Sequence, residues 1–280
     1  MGARADAVAW ERTVRRRRLG VLAAAGLVVV ALAAGVDAVR DRLAPDPTGR
    51  AAGPTVRDEP GEQAAAAPPW VWQGPVTPVE LPAPAGAAPV ITRVDTTDPV
   101  VFLTIDDGHT RTPEAAAAFN QLGIPATLFL VDGPVEADAG WFAGLPGTVV
   151  ESHTRTHRDM TTLSEAAQRD EICGNAARIE QAFGRRPALF RPPYGNYDQN
   201  TTRAAAACGM RAVVLWQQTV NGDAVDFREA PRFQPGDIVL MHFRPSFVQE
   251  LEVVKEHVQA AGLRFALLED YLAPATVTAG

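Results

Sequence analysis

The run Val100-Val101-Phe102-Leu103-Thr104-Ile105 ends abruptly in Asp106-Asp107-Gly108, and a strand-like run closed by polar groups returns three more times. His153 and His157 follow the run Thr148–Glu151, Arg191 to Tyr194 follow the brief strand that opens at Ala188, and His242 ends the run that starts at Asp237. Helical segments lie between them at Pro113–Leu122, Ser164–Phe183, Asp198–Cys208 and Ser246–Ala261, with further strands at Ala126–Val131, Arg211–Trp216 and Arg264–Leu267. Proline opens the first helix, Ser164 can cap the second, and Gly184 and Gly209 close the second and third. Strand and helix that alternate in this way predict an α/β fold with a parallel sheet. About seven strands without an internal repeat suit an irregular (β/α) barrel. Parallel strands present functional loops at their C-terminal ends, and four separate strand ends carrying polar groups are hard to explain as packing.

Two adjacent carboxylates at the end of a buried strand are costly without a cation. His153 and His157 stand four residues apart, so a helical turn there would aim both rings at one point. One Asp and two His brought together make a divalent-metal site, with the second carboxylate left over to act as base. That is the chemistry of a metallohydrolase. The bland alternatives are a pair of exposed loop histidines and an Asp that merely caps the turn before Gly108.

With 280 residues, 46% of them hydrophobic, the chain can bury a substantial core. A formal charge of -7 with no basic stripe in the globular part argues against a nucleic-acid partner. Residues 1–18 form a basic tail with Arg12 and Arg15 to Arg18, expected to stay in the cytoplasm. Residues 19–36 carry no charge; as a helix they would be roughly 27 Å long, just enough to span a hydrocarbon core of about 30 Å. They read as a transmembrane anchor, or as a signal peptide cleaved near Ala33. Either places the rest of the chain outside the cell membrane. Residues 37–89 read as a Pro/Ala-rich linker in which Trp70 and Trp72 staple the chain to the domain, and 90–280 as the catalytic domain. Cys173 and Cys208 lie on neighbouring predicted helices and are either a disulfide or two buried thiols. Nothing in the residues points to an oligomeric state.

Four stretches, taken in order, resemble the polysaccharide deacetylase family, carbohydrate esterase family 4, also called the NodB homology domain. They are Thr104-Ile105-Asp106-Asp107-Gly108, His153-Thr154-Arg155-Thr156-His157, Arg191-Pro192-Pro193-Tyr194-Gly195 and Leu240-Met241-His242, within roughly Asp98 to Tyr271. The resemblance implies a NodB-like barrel and a metal held by Asp107, His153 and His157. Zinc is expected, with cobalt or nickel as alternatives. It further implies Asp106 as the base toward a metal-activated water, Arg191 as the residue that orients it, and the Tyr194 backbone N–H as an oxyanion donor. His242 is implied as the acid, with Leu240 and Trp216 lining the substrate pocket.

The implied reaction is removal of acetyl groups from an extracellular or cell-wall polysaccharide of the N-acetylglucosamine type, peptidoglycan or chitin-like. One segment departs from the family. Leu215 to Asp223 reads Leu-Trp-Gln-Gln-Thr-Val-Asn-Gly-Asp, with Thr or Gly where an aspartate would tune the histidine. His242 would then be a weaker acid unless Asp223 or Asp226 replaces that partner. A noncatalytic envelope scaffold and an O-acetyl esterase of the xylan type remain open beside the leading reading.

Overall fold

A computed structural model describes residues 67–82 and 84–272. The expected basic tail, the apolar segment 19–36 and the linker as far as 66 lie outside the described residues. Among the described residues no helix is long and apolar enough to cross a membrane.

Ten strands form one sheet: β1 (Val90–Ile91), β2 (Val100–Asp107), β3 (Ala126–Leu130), β4 (Thr148–Ser152), β5 (Leu189–Phe190), β6 (Ala212–Val214), β7 (Gln218–Asn221), β8 (Ala224–Phe227), β9 (Ile238–His242) and β10 (Arg264–Phe265). The helices are α1 (Pro113–Leu122), α2 (Asp132–Ala143), α3 (Glu165–Phe183), α4 (Gln199–Ala207), α5 (Phe247–Ala260) and α6 (Leu268–Tyr271). The order across the sheet is β1-β6-β5-β4-β3-β2-β9-β7-β8, with β10 added to β2. Every pairing is parallel except β7 with β8, which is an antiparallel hairpin.

Two expectations change. The barrel does not close, because among the described residues no ladder joins β1 to β8, so the architecture is an α/β half-barrel. The seven expected strands are all present, but β1, β7 and β8 extend the sheet at its two edges.

Alternation along β2 shows why its sequence has no polar face. Val101, Leu103 and Ile105 point outward into the layer shared with α1, α2 and α5, while Val100 and Phe102 point into the barrel with Phe129, Leu240 and Tyr271. A strand covered on both sides must be apolar on both. Helices α3 and α4 cover β5 and β6 through a third cluster of Ile172, Ala176, Phe190, Ala205 and Val213. The caps agree with the sequence: Thr112 Oγ1 accepts from Ala115 N ahead of Pro113, Ser164 Oγ from Ala167 N, and Asp198 forms a capping box with Thr201. Trp70 lies half-buried against the outer cluster, its Nε1 donating to Leu122 O at 2.8 Å and Lys255 Nζ lying 5.0 Å from its ring.

Register places the site. Asp106 pairs directly with His242 across β2 and β9, and Asp107, Leu130, Ser152 and Phe190 form one row across β2 to β5. The residues after that row, Gly108, Val131, His153 and Arg191, therefore emerge together at the C-terminal mouth.

Candidate active site

Arg191 anchors the floor of the mouth. Its side chain is fully buried, Nη1 donates to Asp106 Oδ1 and Thr104 Oγ1, both at 2.7 Å, and Nε and Nη2 donate to the carbonyls of Val214 and Leu215 at 3.1 and 3.3 Å. Its guanidinium also lies 4.2 Å from the Phe129 ring centroid. A buried cation with so many partners fixes the carboxylate it holds, so Asp106 has one orientation.

Asp107, the next residue, turns out of the strand with φ 71°. Its Oδ1 is buried without a hydrogen bond, 3.4 Å from His153 Nε2 and 3.2 Å from His157 Nε2. The ligand atoms of Asp107, His153 and His157 all lie within 4.8 Å of one another. An orphaned carboxylate oxygen between two imidazole nitrogens is the donor set of a divalent-metal site. His153 Nδ1 lies 2.7 Å from Arg191 O, a contact that puts the ring proton on Nδ1 and leaves Nε2 free to ligate. Burial alone would push Asp107 up, but the His153 and His157 imidazoles hold it well below the usual carboxylate range. Burial would likewise push His153 down, and Asp106 and Asp107 beside it push it up instead.

The expected helical turn between the two histidines is absent. Residues 153–157 form an irregular loop in which Thr154 and His157 both have positive φ, 72° and 57°. The rings converge by backbone reversal, meeting edge to face at 5.0 Å, rather than by helical stacking. Tyr194 has φ 61° and is 65% exposed, with its ring 4.8 Å from that of His157. The turn's backbone bonds, Gly195 N to Pro192 O and Asn196 N to Pro193 O, do not use the Tyr194 N–H.

His242 faces the same mouth, with Nε2 4.0 Å from Asp107 Oδ2. Neither aspartate expected to support it does so: Asp223 and Asp226 are exposed, and Asp226 accepts from Asn221 at 3.3 Å. Arg244 takes that place instead, Nη2 lying 3.2 Å from His242 Nδ1 while Nη1 donates to Asn221 Oδ1 at 2.9 Å. A guanidinium has only donors, so Nδ1 accepts and the ring proton sits on Nε2. Burial pushes His242 down, Asp106 and Asp107 do not offset it, and Arg244 adds to the lowering. Leu240 and Trp216 are buried in the barrel cluster, and the guanidinium groups of Arg191 and Arg228 lie 5.6 and 5.0 Å from the Trp216 ring centroid. Sequence reasoning missed Arg244; the signal was a basic residue two positions after His242.

The family model for polysaccharide deacetylase matches residues 93–213. The chain is 41% identical over 193 residues to an uncharacterized protein of Streptomyces coelicolor, covering 66% of this chain and 77% of that one. It is 25% identical over 183 residues to a peptidoglycan-N-acetylglucosamine deacetylase of Bacillus cereus, covering 60% of this chain and 66% of the relative. The fold superposes with TM-score 0.57 on a carbohydrate esterase family 4 pseudoenzyme from Bacillus anthracis at 23% identity, over 66% of this chain and 69% of that one. With the half-barrel, the strand-end clusters and the matched sequence in agreement, the chain belongs to the polysaccharide deacetylase family.

Proposed function

We propose that this protein is a metal-dependent hydrolase that removes acetyl groups from a polysaccharide of the N-acetylglucosamine type. The observation that carries the reading is the unpartnered Asp107 Oδ1 between His153 and His157, one residue from a carboxylate locked by Arg191. A divalent cation held by Asp107, His153 and His157, zinc by the character of the donors, would supply Lewis acidity toward the acetyl carbonyl and acidify a water. Asp106, fixed by Arg191, accepts the proton of the attacking water. The Tyr194 N–H donates to the oxygen on which charge develops. His242 acts as the acid toward the leaving group in its imidazolium form, once Arg244 releases Nδ1 to take a second proton, and Leu240 and Trp216 wall the pocket for the acetyl methyl.

The second reading, an O-acetyl esterase, is favoured by Arg244 on His242 Nδ1. An amine leaves only when protonated, whereas an alkoxide leaves with less help from an acid. We place the domain outside the cytoplasm, which the Cys173–Cys208 disulfide supports.

The deciding experiment is acetate release by the zinc-loaded protein from chitooligosaccharide, peptidoglycan and acetylated xylan, with and without chelator. Release from the glucosamine substrates that stops on chelation is expected. Release from xylan alone would replace the leading reading with the esterase, and bound metal without release from any would make the chain a noncatalytic carbohydrate-binding scaffold.

A further inference from the structure

The segment from Ser152 to His157 cannot hold its own shape. Two of its residues, Thr154 and His157, are non-glycine residues in the left-handed region, which costs on the order of 1–3 kcal/mol each and persists only where the surroundings impose it. The segment supplies one internal restraint, the His157 N–H donating to Thr154 Oγ1 at 3.0 Å. From outside, Leu130 O accepts from His153 N at 3.2 Å, Arg191 O lies 2.7 Å from His153 Nδ1 and Asp132 Oδ2 accepts from Arg155 Nε at 3.2 Å; the bonds to the backbone N–H groups of Arg155 and Thr156 come from the buried face of α3.

Glu171 and Asn175 stand one helical turn apart on that face, and both are buried. Asn175 Oδ1 accepts from Ser152 Oγ at 2.7 Å and from His153 N at 3.2 Å, while Nδ2 donates to Asp132 Oδ1 at 2.9 Å and Leu130 O at 3.2 Å. Glu171 Oε2 accepts from both Arg155 N and Thr156 N at 2.9 Å, and its Oε1 accepts from the Thr156 hydroxyl. Among the described residues Glu171 forms no ion pair, although salt bridges are common elsewhere on the surface. Its charge is met by two backbone N–H groups and one hydroxyl, all from the short stretch between the two histidines.

A carboxylate so placed has a specific effect. Two adjacent N–H groups that converge on one oxygen fix the peptide planes of Arg155 and Thr156, and those planes determine where His157 points relative to His153. We propose that Glu171 is a positioning residue of the metal site: by holding the Arg155–Thr156 backbone it fixes the reversal that aims both imidazoles at Asp107. The inference rests on the metal-site reading above. Asn175 anchors the His153 end of the same segment, and Glu171 sets the His157 end.

The test is titration of the purified full-length protein with cobalt(II), followed by its visible absorption, for the wild type, Glu171→Gln, Glu171→Ala and the control Glu165→Gln, which removes an exposed ion pair and a first-turn charge on the same helix away from the site. Cobalt affinity should fall about 10–100-fold in Glu171→Ala, as for other residues that orient metal ligands, and less in Glu171→Gln, which keeps one acceptor oxygen. The bound-cobalt spectrum should change in both, and Arg155 and Thr156 amides should exchange faster with solvent in both. The control should match the wild type. If Glu171→Ala does not fold, Glu171→Gln decides. Wild-type affinity and spectrum in a folded Glu171 variant would overturn the assignment and leave the metal site standing. A wild type that takes up no cobalt would overturn both.

Discussion

Asp107, Thr154, His157 and Tyr194 are the non-glycine residues with positive φ among the described residues, and all four belong to the candidate site. Strain gathered at one place in a fold marks where geometry has been bought at the expense of stability. Asp106 and Arg191 are unstrained by comparison, and their pairing leads to a two-part prediction. Asp106→Asn keeps the Asp107, His153 and His157 ligands, so cobalt should bind as before while acetate release falls by about 10²–10⁴, the contribution of a positioned base. The same change leaves the fully buried Arg191 facing a neutral amide, and loss of a buried charge partner costs about 3–5 kcal/mol. Urea unfolding measured beside acetate release separates the two effects. Equal loss of cobalt binding would mean that Asp106 is itself a ligand. That Asp107, His153 and His157 converge was legible in the sequence, because a carboxylate pair and two histidines after apolar runs have few other uses. The backbone reversal was not, since positive φ at a β-branched residue such as Thr154 is an outlier, and at a histidine, though commoner, it is still the exception.

At the scale of elements, the helices that the sequence marks clearly carry chemical punctuation, and those it hides lack it. Pro113, Ser164 and Asp198 open α1, α3 and α4, and Gly123 and Gly184 close α1 and α3 in the left-handed conformation. Helix α2 contains Gly133, Pro134 and Gly140, is broken at Asp138, and has no side-chain cap, so propensity and pattern both argue against it. It forms because Val135 and Phe142 are buried against the sheet. The β7–β8 hairpin is readable from Gly222-Asp223, the two-residue turn between the paired Asn221 and Ala224, in which Gly222 takes φ 65°. Distance decides the cysteines: their Cα atoms lie 5.0 Å apart and the disulfide joins α3 to the end of α4 across 35 residues. By the chain-entropy estimate a loop of that length contributes about 3–4 kcal/mol. The Cys173→Ala/Cys208→Ala double variant should lose that amount in urea unfolding, and reduction of the wild type should match it. A loss below about 1 kcal/mol would show that packing between the two helices already suffices.

For the whole molecule, the C-terminal mouth of the half-barrel carries the candidate site, and the interior also holds a second pair of carboxyls, Glu151 and Glu269, outside it. Glu151 on β4 accepts from Arg185 Nη2 at 2.8 Å and from the N–H groups of Ala188 and Leu189, each at 2.7 Å. Glu269 on α6 accepts from Thr127 Oγ1 at 2.8 Å, and its Oε1 is buried without a partner. Burial, followed by the Glu151 charge, pushes Glu269 up to about 8 from an ordinary value of 4.5. In the unfolded chain this group ionises at its ordinary value, so between about pH 4.5 and 8 the native state holds a proton that the unfolded state has released. Stability must therefore fall as pH rises through that window, by about 1.4 kcal/mol per pH unit from this group, and level off above it. Glu269→Gln abolishes the titration, whatever it does to absolute stability by placing an amide against Glu151. The metal-free wild type and variant should thus differ in the slope of stability against pH by about one proton between pH 5 and 8. Titrating groups away from the pair, His153 among them, are present in both proteins and cancel in the difference, whereas Glu151 titrates together with Glu269 and its change is part of what the difference reads. Parallel curves from urea unfolding across that range would show that Glu269 is ionised in the native state and that the carboxyl pair is stabilised by contacts other than a shared reluctance to charge.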